Sequence, residues 1–550
     1  MKTMAGRLGD SSARRFAAKA RSARSSPASI WRGITAGMVV ALIYCAPVLA
    51  DPVATAGGLL EGVKEDGVTV FRGVPFAAPP VGRLRWRPPE PAAAWSGVRR
   101  AERFAPICPQ DGAYPPESPA EPMGEDCLYL NVWVPEHRPG ERLPVMVWIY
   151  GGALQNGSAS MPLYSGERLA RHGVILVTAN YRLGVLGFLS LDELRRESAR
   201  GISGNYGLLD QIAALQWVHR NIAAFGGDPG IVTVFGQSSG AISVSALVAS
   251  QMAHGLFQRA IAESGGLFEP VELADGFSPS GAEAAGRRFA ARAGATKSHA
   301  GATTLQQLRS MSPEELLKTP FDANFVVDGV VLEQSPFHAY HDGTQNDVDI
   351  LVGTNADEGE LFLAKHRVTR ANYKALLSAD FSAPLVWFAC PDAGDSDAEA
   401  HAVTAAFEGD MRFRWDMWTW ARLAAAHGTK NAYLYQFAHT PPHVQGNRYH
   451  GLGATHGMEM PYVFEHAEAI EGDWTDADRR VSSSMSAYWT NFAKTGDPNG
   501  PGLTRWPTFK TAPDHVMILN QAPQFEELPR QSDLRRIDRV YRIARLLHWH

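Results

Sequence analysis

Ser238 is the residue whose surroundings most clearly predict chemistry. It is the central residue of the pentapeptide GQSSG (236–240), which follows an apolar run (231–235) and precedes a stretch that favours a helix. A serine on so sharp a strand-to-helix turn needs small neighbours, because the backbone there is strained and closely approached. The start of the following helix also favours developing negative charge. This setting predicts a nucleophilic serine, and an ordinary glycine–serine turn is the alternative.

A nucleophilic serine needs a general base, and the base needs an acid to orient it. In α/β-hydrolases, which have this turn, the chain order is nucleophile, acid, histidine, so both partners should follow the serine. Asp357 and Glu358 come after the apolar run 349–354, and the residues alone leave either of them open as the acid. His456 is the predicted base, because Gly457 gives its backbone freedom and an apolar run follows. Three histidines in the same region are rivals: His439, His443 and His450.

Donors for an oxyanion are expected directly after another apolar run. Gly151, Gly152 and Ala153 follow residues 144–150. Small residues at that position allow backbone N–H groups to approach a substrate oxygen. A flexible turn at the end of a strand is the alternative interpretation.

These residues lie at the ends of segments that alternate between strand and helix patterns. Residues 207–225 carry apolar side chains at helical spacing, and the stretches of about 270–345 and 360–430 are expected to be mostly helical. Strand, helix and strand in this order predict an α/β fold with a parallel or mixed sheet covered by helices. Five short apolar runs predict strands buried on both faces: 144–150, 174–181, 231–235, 349–354 and 432–437.

The composition is that of a globular protein: 550 residues, 45% hydrophobic and 20% charged, with a formal net charge of −5. It excludes a mainly disordered or collagen-like chain, and the lack of a basic surplus disfavours nucleic-acid binding. The first 50 residues carry a net charge of +7 and end in an uncharged stretch, 33–50. They predict a signal peptide (1–50), cleaved near Ala50, and an exported, periplasmic or secreted domain (51–550) with no membrane anchor. A retained anchor and the twin-arginine export route are the alternatives.

The four cysteines are too few for a disulfide scaffold. Cys45 falls in the predicted signal peptide, and Cys390 follows the apolar letters LVWFA, which predicts a buried free thiol. In an oxidising compartment Cys108 and Cys127 could pair. The sequence contains no HExxH, no CxxC pair and no Walker glycine loop, so neither a metal nor a cofactor is predicted.

The order of these motifs resembles the type-B carboxylesterases, the family that includes the cholinesterases. The resemblance implies the α/β-hydrolase fold, with a large, mostly parallel sheet and helical insertions over the active site. It also implies a serine carboxylic-ester hydrolase that acts on small-molecule esters. The similar segments span nearly all of the chain after residue 50: 71–91, 125–135, 180–189, 204–229, 236–240, 355–362, 455–464 and 488–499.

The resemblance also implies a role for individual residues, by matching each to the family pattern at the same place in its motif. It selects the glutamate of the Asp-Glu-Gly triplet as the acid. The implied roles are Ser238 as nucleophile, Glu358 as acid, His456 as base, the amides of Gly152, Ala153 and Ser239 as oxyanion donors, Ser264 as a support behind the triad, and Cys108–Cys127 as a disulfide.

The chain departs from the family pattern at three places. Gln237 stands before the nucleophile, where the family commonly has glutamate. Ala153 replaces the third glycine of the oxyanion loop, and Leu154 stands where phenylalanine is usual. The segment between Cys108 and Cys127 contains no tryptophan, which cholinesterases use there to bind a quaternary ammonium. The loss of a carboxylate and of an aromatic face argues against choline esters.

The segment MRFRWDMWTWARL (411–423) is unusually aromatic. Its tryptophans are expected in a helix core. The alternative is that Trp415 or Trp418 lines the substrate pocket, with Arg412 or Arg414 available to an acidic substrate.

Two further functions are left open beside carboxylic-ester hydrolysis on small to medium esters. The triad would serve a lipase, an amidase or a thioesterase equally well, because the walls of the site decide the substrate. A non-catalytic binding protein on the same fold is less favoured, since such relatives usually lack a member of the triad.

Overall fold

The computed structural model describes residues 48–110, 121–271, 274–295 and 303–547. Residues 1–47, which form most of the predicted signal peptide, lie outside these ranges. Val48–Leu49, just before the predicted cleavage point, pairs with Val63 and Lys64 as a short antiparallel strand.

The strands of the described chain belong to two sheets. Twelve form one sheet in the order β1-β4-β5-β7-β9-β8-β10-β11-β12-β13-β14-β15, and three form a small sheet in the order β2-β3-β6. Their bounds are β1 Val48–Leu49, β2 Val53–Thr55, β3 Gly58–Glu61, β4 Val63–Glu65, β5 Val68–Pro75, β6 Val98–Arg100, β7 Tyr129–Pro135, β8 Leu143–Ile149, β9 Ile175–Ala179, β10 Gly227–Gln237, β11 Arg259–Glu263, β12 Asp349–Asn355, β13 Ala432–Phe437, β14 His515–Leu519 and β15 Gln524–Glu527.

The middle of the large sheet is parallel. Every neighbouring pair from β9 through β8, β10, β11, β12 and β13 to β14 runs parallel, and antiparallel pairs flank this block on both sides. Val234 in β10 lies beside Val147 in β8 and Ala260 in β11. In such a sheet the carboxyl ends of neighbouring strands share one edge, which is where α/β proteins place their sites. The segments after β8, β10, β11 and β12 therefore converge.

Helices cover the sheet. The longest are α4, α6, α16 and α17, and α16 packs against β8 and β10. The bounds are α1 Glu167–Ala170, α2 Gly184–Phe188, α3 Asp192–Glu197, α4 Tyr206–Asn221, α5 Ser239–Ala249, α6 Pro279–Arg292, α7 Thr304–Ser310, α8 Pro313–Leu317, α9 Pro336–His341, α10 Glu360–Leu363, α11 Tyr373–Asp380, α12 Ala383–Ala389, α13 Asp397–Gly409, α14 Trp415–His427, α15 Met460–Val463, α16 Asp476–Thr495 and α17 Gln531–Leu547.

The sequence predicted this architecture well. All five apolar runs are strands, and the side chains of β9 and β13 are buried along their whole length, as continuous apolar runs require. The predicted helix 207–225 is α4 followed by a short 3-10 turn, Ile222–Phe225. The region 360–430 is mostly helical, with a five-residue π-helical turn, Asp410–Arg414, between α13 and α14. The region 270–345 is less helical than expected: in its described residues, the helices other than α6 are short and separated by loops.

Three of the four cysteines lie in the described ranges, and Cys45 lies outside them. The sulfurs of Cys108 and Cys127 are 2.02 Å apart and form a disulfide. Cys390 is a buried free cysteine, and burial raises the pKa of its thiol to about 12. Within the described ranges, every helix is too short or too polar to cross a membrane.

Candidate active site

Ser238 lies between the end of β10 and the start of α5, with φ 56° and ψ −126°. Its amide donates to the carbonyl of Glu263 at 2.8 Å, which fixes the turn against the end of β11. A Cβ on Gly236 would come within 2.6 Å of the Ile149 carbonyl oxygen, and one on Gly240 within 2.1 Å of the same atom. The two glycines of the pentapeptide are therefore required by close packing against β8.

Glu358 and His456, the predicted acid and base, are direct neighbours in the structure. His456 Nδ1 lies 2.7 Å from Glu358 Oε2, and Glu358 is almost completely buried. The other carboxylate oxygen, Oε1, accepts from the Asn355 amide at 2.7 Å and from the Ser264 hydroxyl at 2.5 Å. With both oxygens occupied, the carboxylate cannot turn, so the imidazole is held in one orientation.

Asp357, the other candidate acid, forms hydrogen bonds with the backbone of Ala454 instead of with His456. Its side chain accepts from the Ala454 amide at 2.8 Å and its own amide donates to the Ala454 carbonyl at 3.0 Å. Asp357 thus ties the loop before His456 to the end of β12. The structure selects Glu358 as the partner of the histidine and leaves Asp357 as a loop anchor.

The three rival histidines each contact a group other than Glu358. His439 Nε2 lies 2.7 Å from Asp478, in a buried pair. His443 Nε2 lies 3.2 Å from the sulfur of Met458, and burial lowers the pKa of His443. His450 Nδ1 lies 2.8 Å from the carbonyl of His443.

Gln237 and Phe413 complete the surroundings of His456. Gln237 Nε2 lies 3.2 Å from His456 Nε2, so the amide occupies the ring nitrogen that would accept the serine proton. The Phe413 ring stacks on the imidazole, with centroids 4.4 Å apart and planes at 10°. Phe413 was not predicted as a site residue. It belongs to the segment 411–423, and the many aromatic residues of this segment were the only sequence feature that could have indicated it.

The loop after β8 presents backbone donors to the same place. Gly152, Ala153 and Leu154 have φ values of 111°, 57° and 60°. A Cβ on Gly152 would lie 2.1 Å from the Asn156 carbonyl oxygen, which explains the glycine. The Leu154 amide donates to the Ser239 hydroxyl at 3.1 Å and joins this loop to α5. The amides of Gly152, Ala153 and Ser239 form no hydrogen bond within the described parts of the chain.

Two further carboxyl groups lie buried behind the triad, and the sequence did not single them out. Asn355 Nδ2 donates to Glu459 and to the carbonyl of Thr455, the latter at 2.8 Å. Burial, and next the charge of Glu358, raise the pKa of Glu459 to about 7. Burial and then Glu459 raise the pKa of Glu263 well above its ordinary range. Glu459 lies three residues after His456, and this proximity in sequence was the only feature that could have placed it near the site.

A cavity of about 540 Å³ opens beside Ser238. Its walls are mostly apolar, and Leu154 lies on them as the sequence predicted. Other lining residues are Ile242, Phe325, Phe381, Leu385, Met411 and Phe413.

Neither Trp415 nor Trp418 lines this cavity, so the alternative that placed them there is wrong. Trp415 is 1% exposed and packs edge-on against Tyr541, with centroids 4.6 Å apart. Trp418 Nε1 donates to Asp514 at 3.0 Å. The π-helical turn is the part of the segment that faces the cavity, and it presents Met411, Arg412 and Phe413 instead.

The two arginines of this segment are both paired. Arg412 lines the cavity, but its guanidinium contacts Asp380 and lies 2.7 Å from Glu408. Arg414 is buried, where it contacts Asp410 and donates to the Ala356 carbonyl at 3.1 Å. Neither guanidinium offers an unpaired charge to an acidic substrate.

The sheet order and the serine turn define an α/β-hydrolase. The chain belongs to the carboxylesterase family, whose sequence profile matches residues 50–537. It is therefore a carboxylic-ester hydrolase of the serine class.

Several characterised relatives are similar over most of their length. The fumonisin B1 esterase of Sphingopyxis macrogoltabida is 38% identical over 521 residues, which cover 89% of this chain and 93% of the relative. The para-nitrobenzyl esterase of Bacillus subtilis (strain 168) is 34% identical over 503 residues, covering 87% and 96%. A solved structure of a PNB esterase superposes with a TM-score of 0.76 at 33% identity and covers 88% of this chain and 99% of that chain.

Proposed function

We propose that the chain hydrolyses small to medium carboxylic esters through a Ser238–His456–Glu358 triad and an acyl-enzyme. The observation that carries the proposal is the 2.7 Å contact between His456 Nδ1 and a fully hydrogen-bonded Glu358, at the same sheet edge as Ser238. A carboxylate in this position sets the tautomer of the imidazole and stabilises its protonated form.

The reaction proceeds in two acyl-transfer steps. His456 Nε2 exchanges its contact with Gln237 for the Ser238 hydroxyl and removes the proton as Oγ attacks the ester carbonyl. The amides of Gly152, Ala153 and Ser239 receive the oxyanion, each worth about 3 kcal/mol in the transition state. His456 returns the proton to the leaving alcohol, and water then repeats the sequence on the acyl-enzyme.

The substrate class follows from the cavity beside Ser238. Its volume of about 540 Å³ and mostly apolar walls suit an ester with a sizeable uncharged acyl or alcohol group. Gln237 supplies no negative charge next to the leaving group, and the 108–127 segment supplies no tryptophan, so choline esters are disfavoured. A lipase, an amidase or a thioesterase would share the triad. These activities differ in the residues that line the substrate site.

Covalent labelling tests the nucleophile directly. A fluorophosphonate should label the protein once, on the peptide that contains Ser238, and p-nitrophenyl butyrate should be hydrolysed with a burst of p-nitrophenol. Ser238→Ala should abolish both signals. Ser245→Ala, a matched change on the buried part of α5, should retain them. Labelling that persists in Ser238→Ala would contradict the assignment.

The substrate class needs a separate comparison. Hydrolysis of p-nitrophenyl esters with acyl chains of different length should be set beside matched anilides, thioesters, triglycerides and butyrylcholine. Ester hydrolysis well above the other classes is expected, and faster cleavage of the choline ester would contradict the proposal.

We also propose that residues 1–50 are a signal peptide and that residues 51–550 form one exported domain. The basic start and the uncharged stretch 33–50 support this. Sequencing the amino terminus of protein from the producing cells tests it, together with fractionation. A chain that begins at residue 51 outside the cytoplasm is expected, and an intact amino terminus in the membrane fraction would contradict cleavage.

A further inference from the structure

A second cavity, of about 350 Å³, is lined by four arginines. Its walls come from β5, β6 and β7 and from the segment 102–106. In the large sheet, β9 and β8 separate β5 and β7 from β10, which carries Ser238, and β6 belongs to the small sheet. The cavity is thus distinct from the one beside the triad. We propose that it binds a multivalent oxyanion, either a phosphate group or a polycarboxylate.

Two of the four arginines that line the cavity already lie near carboxylates, and the other two can meet an added anion. Arg72 forms a bidentate pair with Glu65, at 2.8 and 2.5 Å. Arg100 Nε lies 3.8 Å from Glu61 and 3.6 Å from Glu102, the one acidic residue of the lining.

Arg99 and Arg103, in contrast, make no ion pair with any carboxylate in the described ranges. Arg103 is exposed and Arg99 half-buried. Two uncompensated guanidinium groups in one concave site favour an anion with more than one charge.

Aromatic rings hold the guanidinium groups in place. The Arg99 guanidinium lies 5.6 Å from the centre of the Trp95 ring and 5.9 Å from that of Tyr129. The Arg72 guanidinium lies 5.2 Å from the centre of the Phe104 ring. A guanidinium packed against a ring keeps N–H groups on its edge, and those edges match the oxygens of phosphate or carboxylate. In Arg72 that edge already binds Glu65, so the ring contacts matter for an added anion at Arg99. Of the two arginines without an ion pair, Arg99 is therefore positioned by ring contacts before an anion binds, and Arg103 lies exposed beside it in the cavity wall.

The disulfide steadies the cavity wall. Pro106 lies two residues before Cys108 and Tyr129 two residues after Cys127, and both line the cavity. Asn180 Nδ2 also donates to the Pro106 carbonyl at 3.3 Å. The wall segments that carry Pro106 and Tyr129 are therefore tied together at one covalent link.

Calorimetric titration of the intact enzyme at low ionic strength tests the site, since salt screens such contacts. The probes are pyrophosphate and citrate, with acetate as the monovalent control. One equivalent of a multivalent anion should bind, and acetate should not compete. Binding of pyrophosphate alone would assign a phosphate site, and binding of citrate alone a polycarboxylate site. Absence of binding by both probes would overturn the proposal.

Paired variants locate the binding. Arg99→Ala/Arg103→Ala should weaken anion binding at least about tenfold, because the variant loses one or more charged hydrogen bonds to the anion. Arg287→Ala/Arg288→Ala removes the same charge from exposed positions on α6 and should leave it unchanged. Equal weakening in both variants would overturn the proposal, as would competitive inhibition of ester hydrolysis, which would place the anion beside Ser238. An unchanged melting temperature in Arg99→Ala/Arg103→Ala excludes a folding defect as the cause of weaker binding.

Discussion

The imidazole of His456 stacks on the ring of Phe413, with centroids 4.4 Å apart and planes at 10°. Glu358 fixes one edge of the imidazole through Nδ1, and Phe413 covers one of its faces. The remaining ring nitrogen, Nε2, contacts the Gln237 side chain. The stack and the Glu358 contact together hold the imidazole in one orientation.

Removal of the stacked ring should impair catalysis more than binding. In Phe413→Ala the imidazole gains freedom to tilt, and a misplacement of about 1 Å can cost on the order of 100-fold in rate. We expect kcat for p-nitrophenyl butyrate to fall about 10- to 100-fold. Phe525→Ala removes a phenylalanine that stacks on His515 at the sheet edge, and it should leave kcat unchanged. A normal kcat in Phe413→Ala would show that Glu358 alone orients the base.

The two neighbouring carboxylates should respond differently to loss of charge. Glu358→Gln removes the partner of the imidazolium and should lower kcat by about 10⁴-fold. Asp357→Asn keeps an oxygen that can accept from the Ala454 amide, so its kcat should stay within a few-fold of normal. Steady-state kinetics on the two purified variants checks this. The reverse order of effects would reassign the acid.

Gln237 offers a test through the pH dependence of the reaction. In Gln237→Glu a carboxylate would lie about 3.2 Å from His456 Nε2 and stabilise the protonated imidazole. The neutral imidazole is the base. The midpoint of the rising limb of the kcat/KM profile should therefore shift to higher pH, by about one pH unit. Gln237→Met removes the amide without adding charge and should leave the limb in place. An unshifted limb in the glutamate variant would mean that residue 237 does not act on the base.

Glu459 should make the stability of the protein depend on pH. Its folded-state pKa of about 7 exceeds the ordinary value of 4.5, so the folded protein retains a proton that the unfolded chain releases. This contribution is fully present below pH 4.5 and is lost as the pH rises through about 7. It amounts to about 3 kcal/mol. Glu459→Gln cannot ionise and should lose less stability than the wild type between pH 5 and pH 8.

Melting temperatures across that range measure the difference. Glu527→Gln, at an exposed position on β15, should follow the wild-type curve. Parallel curves for Glu459→Gln and the wild type would show that Glu459 stays ionised, with Glu263 holding the proton instead.

The serine turn and the strands could be predicted because their causes are local. Gly236 and Gly240 are required by contacts with one neighbouring strand, and β9 and β13 are apolar along their length because both faces are covered. The same local causes could not choose among candidates. Asp357 and Glu358 are adjacent in sequence, and only the position of the Asn355 amide and the Ser264 hydroxyl separates their roles.

In the aromatic segment 411–423, the sequence predicted the buried residues better than the residues that face the cavity. The sequence correctly predicted a helix core for Trp415 and Trp418, and one alternative placed Arg412 near the substrate. It did not single out Phe413, which a π-helical turn brings to the cavity together with Arg412.

The sequence by itself thus determined the family, the strand–helix order and the nucleophilic turn, since these depend on residue types over a few neighbouring positions. Tertiary structure decided which carboxylate meets the histidine, which side chains form the substrate wall, and that four arginines share one cavity. The reason is that those contacts join residues far apart in the chain. Their geometry depends on how the strands are ordered and on how each helix turns over the sheet.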